Sequence, residues 1–221
     1  MNNIADDALN SNSTANHSVA HTTLAANAKA IALVGLESTT PTISNMAFGG
    51  AGLTQVGGYL DVGTGLRGAA YYLDSALAAG AHNLTWNTSI SQSCGVYIIS
   101  FTGGAAGAPE DIVTDVQAGA SAVVGDVGDI TATAGALILS GTFHKSGAIG
   151  ISSVTTVTHT KSNTSWAAGA HGGYADGVTA DDYSVDWTYD SASSDKISFA
   201  LSIALASAAG QVVVTATNDI Q

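Results

Sequence analysis

The chain has 221 residues, of which 46% are apolar, 6% aromatic and only 10% charged. That is enough apolar material for one domain with a sizeable core, and it excludes a disordered composition. Five Lys and Arg stand against 17 Asp and Glu, a formal charge of −12. Nucleic acid is therefore excluded as a partner, because phosphates are neutralised by basic side chains. An anionic membrane surface is disfavoured for the same reason. The one cysteine, Cys94, rules out an intrachain disulfide framework and a CxxC metal cluster.

Residues 1–20 are polar and aperiodic, which predicts an N-terminal arm, disordered when free and ordered by a partner. The segment has neither a basic n-region nor an apolar h-region, so no secretory signal is expected. No apolar run reaches the roughly 18 residues of a membrane span. The sequons at Asn12, Asn16, Asn83, Asn87 and Asn163 are then accidents of an Asn-, Ser- and Thr-rich composition. A chain whose polarity comes from hydroxyls and amides, with 26 glycines, reads as an exterior or assembly-bound protein.

From Ala30 onward the pattern predicts strands. Ile31–Leu36 is a short apolar run ending before Pro41, and Thr42–Phe48 alternates until Gly49-Gly50. Leu53–Val56, Leu66–Leu73, Asn83–Trp86 and Gly95–Phe101 follow. Ile112–Val116, Ala120–Val124, Ala136–Phe143, Val154–His159, Tyr183–Trp187, Ile197–Leu205 and Val212–Thr217 continue the series. Turn signals recur every 8–12 residues or so, the rhythm of a sandwich or barrel. Both prolines, Pro41 and Pro109, fall between predicted strands. Ser75–Ala81 is the one short helical candidate, and its glycine argues against more than a turn or two.

A faint repeat relates His82–Trp86 and Val96–Phe101 to Tyr183–Trp187 and Ile197–Ile203. Each is a Trp-bearing strand, a Ser-rich stretch and an apolar strand, the pattern of a hairpin. The expected fold class is therefore all-β, an antiparallel jelly-roll-like β-sandwich of about a dozen strands. Its domains are an arm over 1–20 and one sandwich over 21–221, with a pseudo-repeat about residue 106 as the other division.

Several stretches together carry a resemblance. They are Leu33–Leu36, Ile43–Gly50, Leu53–Val56, Ala70–Leu73, Ala79–Trp86, Tyr97–Gly103, Ala136–Leu139, Asp186–Thr188 and Phe199–Ala204. In this order the chain resembles a jelly-roll-like β-sandwich module found in phage virion structural proteins and in bacterial surface or secreted proteins. Tyr71-Tyr72 stands where the module often has Trp-Tyr, and Gly103-Gly104-Ala105 replaces its usual Gly-Val. The resemblance implies attachment, display or assembly, and transfers no catalytic residue.

Candidate chemistry is sparse. There is no G-x-S-x-G elbow, and nothing local gathers a serine, a carboxylate and one of the six histidines (His17, His21, His82, His144, His159, His171) into a triad. Cys94 begins an apolar strand and reads as inert packing, and Trp86 and Trp187 read as core. The segment 165–174 joins Trp166, His171 and Tyr174 with glycines, and Asp176 follows. These four residues are the candidate glycan contact, weighed against core packing for Trp166. Asp176, Asp181 and Asp182 offer oxygen atoms to calcium, as do Asp126 and Asp129, without an EF-hand spacing. No other cofactor is expected.

The expected function is non-enzymatic: a virion structural protein of a tailed phage or similar virus, such as a capsid decoration or cement protein. It would be made in the host cytoplasm and partnered by copies of itself and other virion proteins. The alternative is a carbohydrate-binding adhesin module of a tail fibre or cell surface, partnered by a cell-surface glycan. A polysaccharide-degrading enzyme is the distant third.

Overall fold

A computed structural model of the chain describes residues 1–63, 65–118, 121–124, 129–145, 151–163, 169–193 and 195–206. The described residues form 17 strands and no helix, and every strand pairing is antiparallel. The larger sheet has the order β4 (Ala51–Gly52), β3 (Ile43–Phe48), β7 (Gly80–Thr102), β2 (Ala28–Leu36), β6 (Leu66–Leu77) and β5 (Thr54–Val62). Its seventh strand, β1 (Asn2–Thr23), pairs along β7. A five-stranded sheet has the order β13 (His159–Asn163), β14 (Ala170–Asp176), β11 (Leu137–His144), β17 (Lys196–Ile203) and β8 (Asp111–Gln117). Two small sheets complete the fold. One joins β12 (Ile151–Val154), β16 (Trp187–Ser193) and β9 (Ser121–Val124), and the other joins β10 (Asp129–Ala132) to β15 (Asp181–Ser184).

The two large sheets bury a shared core, and strand alternation explains it. β17 reads Lys-Ile-Ser-Phe-Ala-Leu-Ser-Ile, so Ile197, Phe199, Leu201 and Ile203 share one face. They pack with Leu137, Leu139 and Phe143 of β11, Ile31 and Leu33 of β2, and Tyr97, Ile99 and Phe101 of β7. The opposite face of β17 and β11 carries Ile138 and Ala200, which join Ile130 and Val185 in a smaller core beneath the small sheets. Ser140 and Thr142 share that face; Trp187 Nε1 donates to Ser140 Oγ at 2.8 Å, and Ser198 Oγ donates to Thr142 Oγ1 at 2.8 Å. The larger sheet also buries its second face, where Ala32, Val34, Val96 and Ile98 meet Phe48, Leu84, Trp86 and Val19. Burial on both faces accounts for the unbroken apolar runs of β2 and the second half of β7.

Three expectations need correction. Residues 1–20 are not an arm: they belong to β1, which pairs with β7 from Asn2↔Thr102 to Thr23↔Gly80. Asn83–Trp86 and Val96–Phe101 are not two arms of a hairpin but parts of the single strand β7. The corresponding pair in the second half is no hairpin either, because β16 pairs with β12 and β9 while β17 pairs with β11 and β8. The physical reason lies in the bulges between Ser11 and Thr14 and between Thr14 and Asn16. Bulges bend a ribbon without ending its ladder. The Ser-rich stretch is thus a corner, not a turn. The strands expected over Val154–His159 and Tyr183–Trp187 are each broken by a loop, and Val212–Thr217 lies outside the described residues.

The bend folds the β1/β7 ribbon back on itself. Asp7 and His21 would stand about 45 Å apart in a straight strand, yet their side chains hydrogen-bond at 2.7 Å. Tyr59 of β5 reaches across to β3, where its hydroxyl accepts from Ile43 N–H at 2.7 Å. The larger sheet is therefore rolled around its own second core.

Two outcomes are expected. Gly172 backs directly onto the ring of Tyr97, which is fully buried. Gly172→Ala lowers unfolding free energy by about 1–3 kcal/mol through overpacking, read as a shift of the urea midpoint. Deleting residues 1–23 removes Met1, Ile4 and Ala8 from one core and Leu9 and Val19 from the other. Cooperative thermal unfolding is then lost, as circular dichroism would report.

Candidate functional site

The folded ribbon turns the odd-numbered residues of β1 inward, and these include two histidines. At the first, His21 Nδ1–H donates to Asp7 Oδ2 at 2.7 Å, and His21 Nε2 accepts from Ser100 Oγ–H at 2.8 Å. His21 and Ser100 are buried, while the Asp7 side chain is 40% exposed. At the second, Thr88 Oγ1 donates to the Ile90 carbonyl at 2.8 Å and accepts from His17 Nε2 at 2.9 Å. The Ser11 hydroxyl then donates to His17 Nδ1 at 3.0 Å. His17 stacks on Trp86, ring centroids 4.8 Å apart. The Cys94 sulfur lies 3.6 Å from His17 Nε2.

Burial sets the titration of these groups. It lowers the pKa of His21, opposed by the hydrogen bond that His21 donates to Asp7, and lowers that of His17. Burial also pushes the Cys94 thiol up to about 12, with the Trp86 indole and the Gln92 amide beside the sulfur offsetting part of the rise. A thiol in that state is a poor nucleophile. On the other face of β1, which it shares with Ile4 and Ala8, burial raises the pKa of Asp6, whose carboxylate accepts from the Tyr97 hydroxyl at 3.3 Å.

A third cluster lies in the five-stranded sheet. The Nε2 atoms of His144 and His171 face each other at 3.1 Å, and His171 Nδ1 meets Ser162 Oγ at 2.8 Å. Tyr189 packs edge-on against both rings and is over-arched by Lys196. Burial lowers the pKa of Lys196, opposed by Asp195.

The predicted glycan residues do not share one surface. Trp166 lies outside the described residues. His171 and Tyr174 sit three apart on β14 and so face opposite sides of the sheet. His171 is fully buried, whereas Tyr174 is half-buried and stacks on His159 at 4.6 Å. Asp176 is exposed, and its carboxylate accepts from the Met1 amino group at 2.5 Å. The calcium candidates are likewise dispersed. Asp181 accepts from the Asp182 amide, and Asp182 accepts from Thr131 Oγ1 at 2.7 Å. Asp129 lies in β10, and Asp126 is outside the described residues. Among the described residues no three His, Cys, Asp or Glu side chains gather as metal ligands. Trp86, Trp187 and Cys94 are buried as expected.

The Ser100–His21–Asp7 contacts follow the order of a nucleophilic triad, which local sequence did not suggest. The surroundings differ from a working one. Ser100 has no exposed surface, and its backbone pairs with Ala5 on one side and Ala30 on the other. An attacking hydroxyl needs room for a carbonyl and free donors for its oxyanion. The signal available beforehand was the spacing of His17, Val19, His21 and Thr23, a period-2 pattern in a polar segment. Comparison with family models, with curated proteins and with solved structures yields no match for this chain.

The histidines make stability pH-dependent. A histidine whose pKa is lowered by folding is protonated first in the unfolded chain, so its stabilisation is full above about pH 6.5 and is lost as pH falls below it. Asp6, with a raised pKa, acts in the opposite sense. We therefore expect the melting temperature to fall between pH 7 and pH 5 with a shallower slope in His21→Gln than in the parent. Equal slopes by differential scanning calorimetry would count against this assignment.

Proposed function

We propose that this chain is a non-enzymatic structural protein of a phage-like virion. It would assemble with copies of itself, and with other virion proteins, through the faces of its β-sandwich. The observation that carries this reading is the burial of the histidine clusters. Side chains able to do chemistry are spent joining two halves of a folded ribbon, and Ser100 meets no solvent. The low charge and hydroxyl-rich composition suit a protein packed into an assembly. The resemblance of residues 30–205 to a virion and surface module supports the same class. Because β1 is committed to its own sheet, assembly contacts would come from the sandwich surface and not from a free arm.

Light scattering across a hundredfold or so range of concentration tests the reading, since a symmetric assembly obeys mass action. A discrete oligomer is expected, and a monomer at every concentration sinks the self-assembly claim. A fluorophosphonate probe tests the non-enzymatic part. No adduct should form on the folded protein, and stoichiometric labelling at Ser100 would instead make the triad real.

A further inference from the structure

A sheet edge is where one chain can add to another, because its outward N–H and C=O groups are unpaired. Most edges of the two large sheets are blunted. β4 has two residues, and β5 is interrupted by a bulge between Val56 and Leu60. β1 is bulged near its centre. β13 carries Lys161 and lies against β1, where Asn163 Nδ2 donates to the Ala8 carbonyl. β8 has none of these devices. It runs seven residues beside β17 without a register shift, and among the described residues no strand pairs with its other side. β10 packs on its face and not along its edge: Ile130 and Ala132 share a core with Val113, and Thr131 N–H donates to Asp111.

The ladder fixes which backbone groups look outward. Glu110 N–H donates to the Ser202 carbonyl, so Ser202 turns its backbone toward β8, and Ala200 and Ser198 follow by alternation. Their partners Val113 and Asp115 turn inward to meet them. Ile112, Thr114 and Val116 therefore turn their groups outward. The Ile112 N–H agrees, since it donates to the Asp111 carboxylate at 2.8 Å and not to β17. Thr114 is exposed, and Val116 is 44% exposed.

Charge then selects one register for a second copy. In a two-fold antiparallel pairing of β8 with itself, a centre at Val113 sets Asp111 opposite Asp115. A centre at Asp115 sets that carboxylate opposite its own copy. Both place like charges across the ladder. A centre between two residues sets outward groups against inward ones and forms no ladder. A centre at Thr114 sets Ile112 opposite Val116, Asp111 opposite Gln117, and Val113 opposite Asp115. Apolar side chains then meet, and the Gln117 amide faces a carboxylate. Thr114 of each copy exchanges N–H···O=C bonds with Thr114 of the other, and each Val116 N–H donates to an Ile112 carbonyl.

We propose that β8 is the self-assembly edge: two copies pair β8 with β8 about a two-fold axis through Thr114 and join their five-stranded sheets into one. The proposal rests on the self-assembly reading above and names its interface.

The test is light scattering on the whole chain and two edge variants. The parent is expected as a dimer or a multiple of one. Thr114→Pro removes an outward N–H, which an edge strand tolerates, and raises the dissociation constant by roughly tenfold or more. Val116→Lys sets an ammonium against Ile112 and does the same. Thr114→Cys is expected to cross-link two copies under mild oxidation, because Cα atoms across such a pair lie about 5.5 Å apart. Thr160→Cys, exposed on β13, gives no such cross-link. Circular dichroism reports whether each variant is folded, and the cross-link decides alone where Thr114→Pro is not. An oligomer of undiminished affinity in both folded edge variants overturns the β8 edge and leaves self-assembly standing. A parent that is monomeric at every concentration, with no Thr114→Cys cross-link, overturns both.

Discussion

The ribbon of β1 and β7 can fold back only if its inner face holds together at the crossing, and histidines do that work. His21 bridges from the second half of β1 to Asp7 on the first half and to Ser100 on β7. His17 bridges to Ser11 in the same way, one step nearer the corner. Both pairs are placed symmetrically about residue 14, where the bulges lie. An imidazole suits this role because its two nitrogens point in opposite directions, one donating and one accepting. Leaving either partner unsatisfied in a buried site would cost about 1–3 kcal/mol. The roll of the larger sheet, and hence its second core, depends on these few contacts.

This use of polar residues shows how a chain with 10% charged residues can bury four of its six histidines with ring nitrogens hydrogen-bonded. Ser140, Thr142 and Trp187 follow the same logic elsewhere in the sandwich, each closing a hydrogen bond between sheets, and Tyr97 closes one to the neighbouring strand β1. The triad-like order of contacts at His21 has a structural use of its own, since a histidine between a carboxylate and a hydroxyl is a stable bridge where it is buried.

Much of the fold was legible in the chain. The alternation of Ile197, Phe199, Leu201 and Ile203 with serine and alanine indicates a strand with one apolar face. The runs Ile31–Leu36 and Gly95–Phe101 indicate strands buried on both faces. The N-terminal strand was not legible, because its inward positions are Asp7, Ser11, His17 and His21, and polar inward residues erase the hydrophobic alternation that marks a strand. The separation of His171 from Tyr174 was not legible for a related reason. Proximity along the chain does not place His171 and Tyr174 on one face when the backbone is extended.

Composition and periodicity by themselves determined the all-β class, the antiparallel sandwich, and the burial of Trp86, Trp187 and Cys94. These properties depend on apolar content and on short-range alternation, both written locally. The tertiary structure alone decided that residues 2–23 are a strand, that the Ser-rich stretch before Cys94 is a corner, and that Asp7, His21 and Ser100 meet. Those facts depend on where a bulged ribbon bends and on what its two halves then bring together, across 14 residues within β1 and 79 between His21 and Ser100. No local pattern specifies a contact of that range, because it exists only once both strands are paired and folded over.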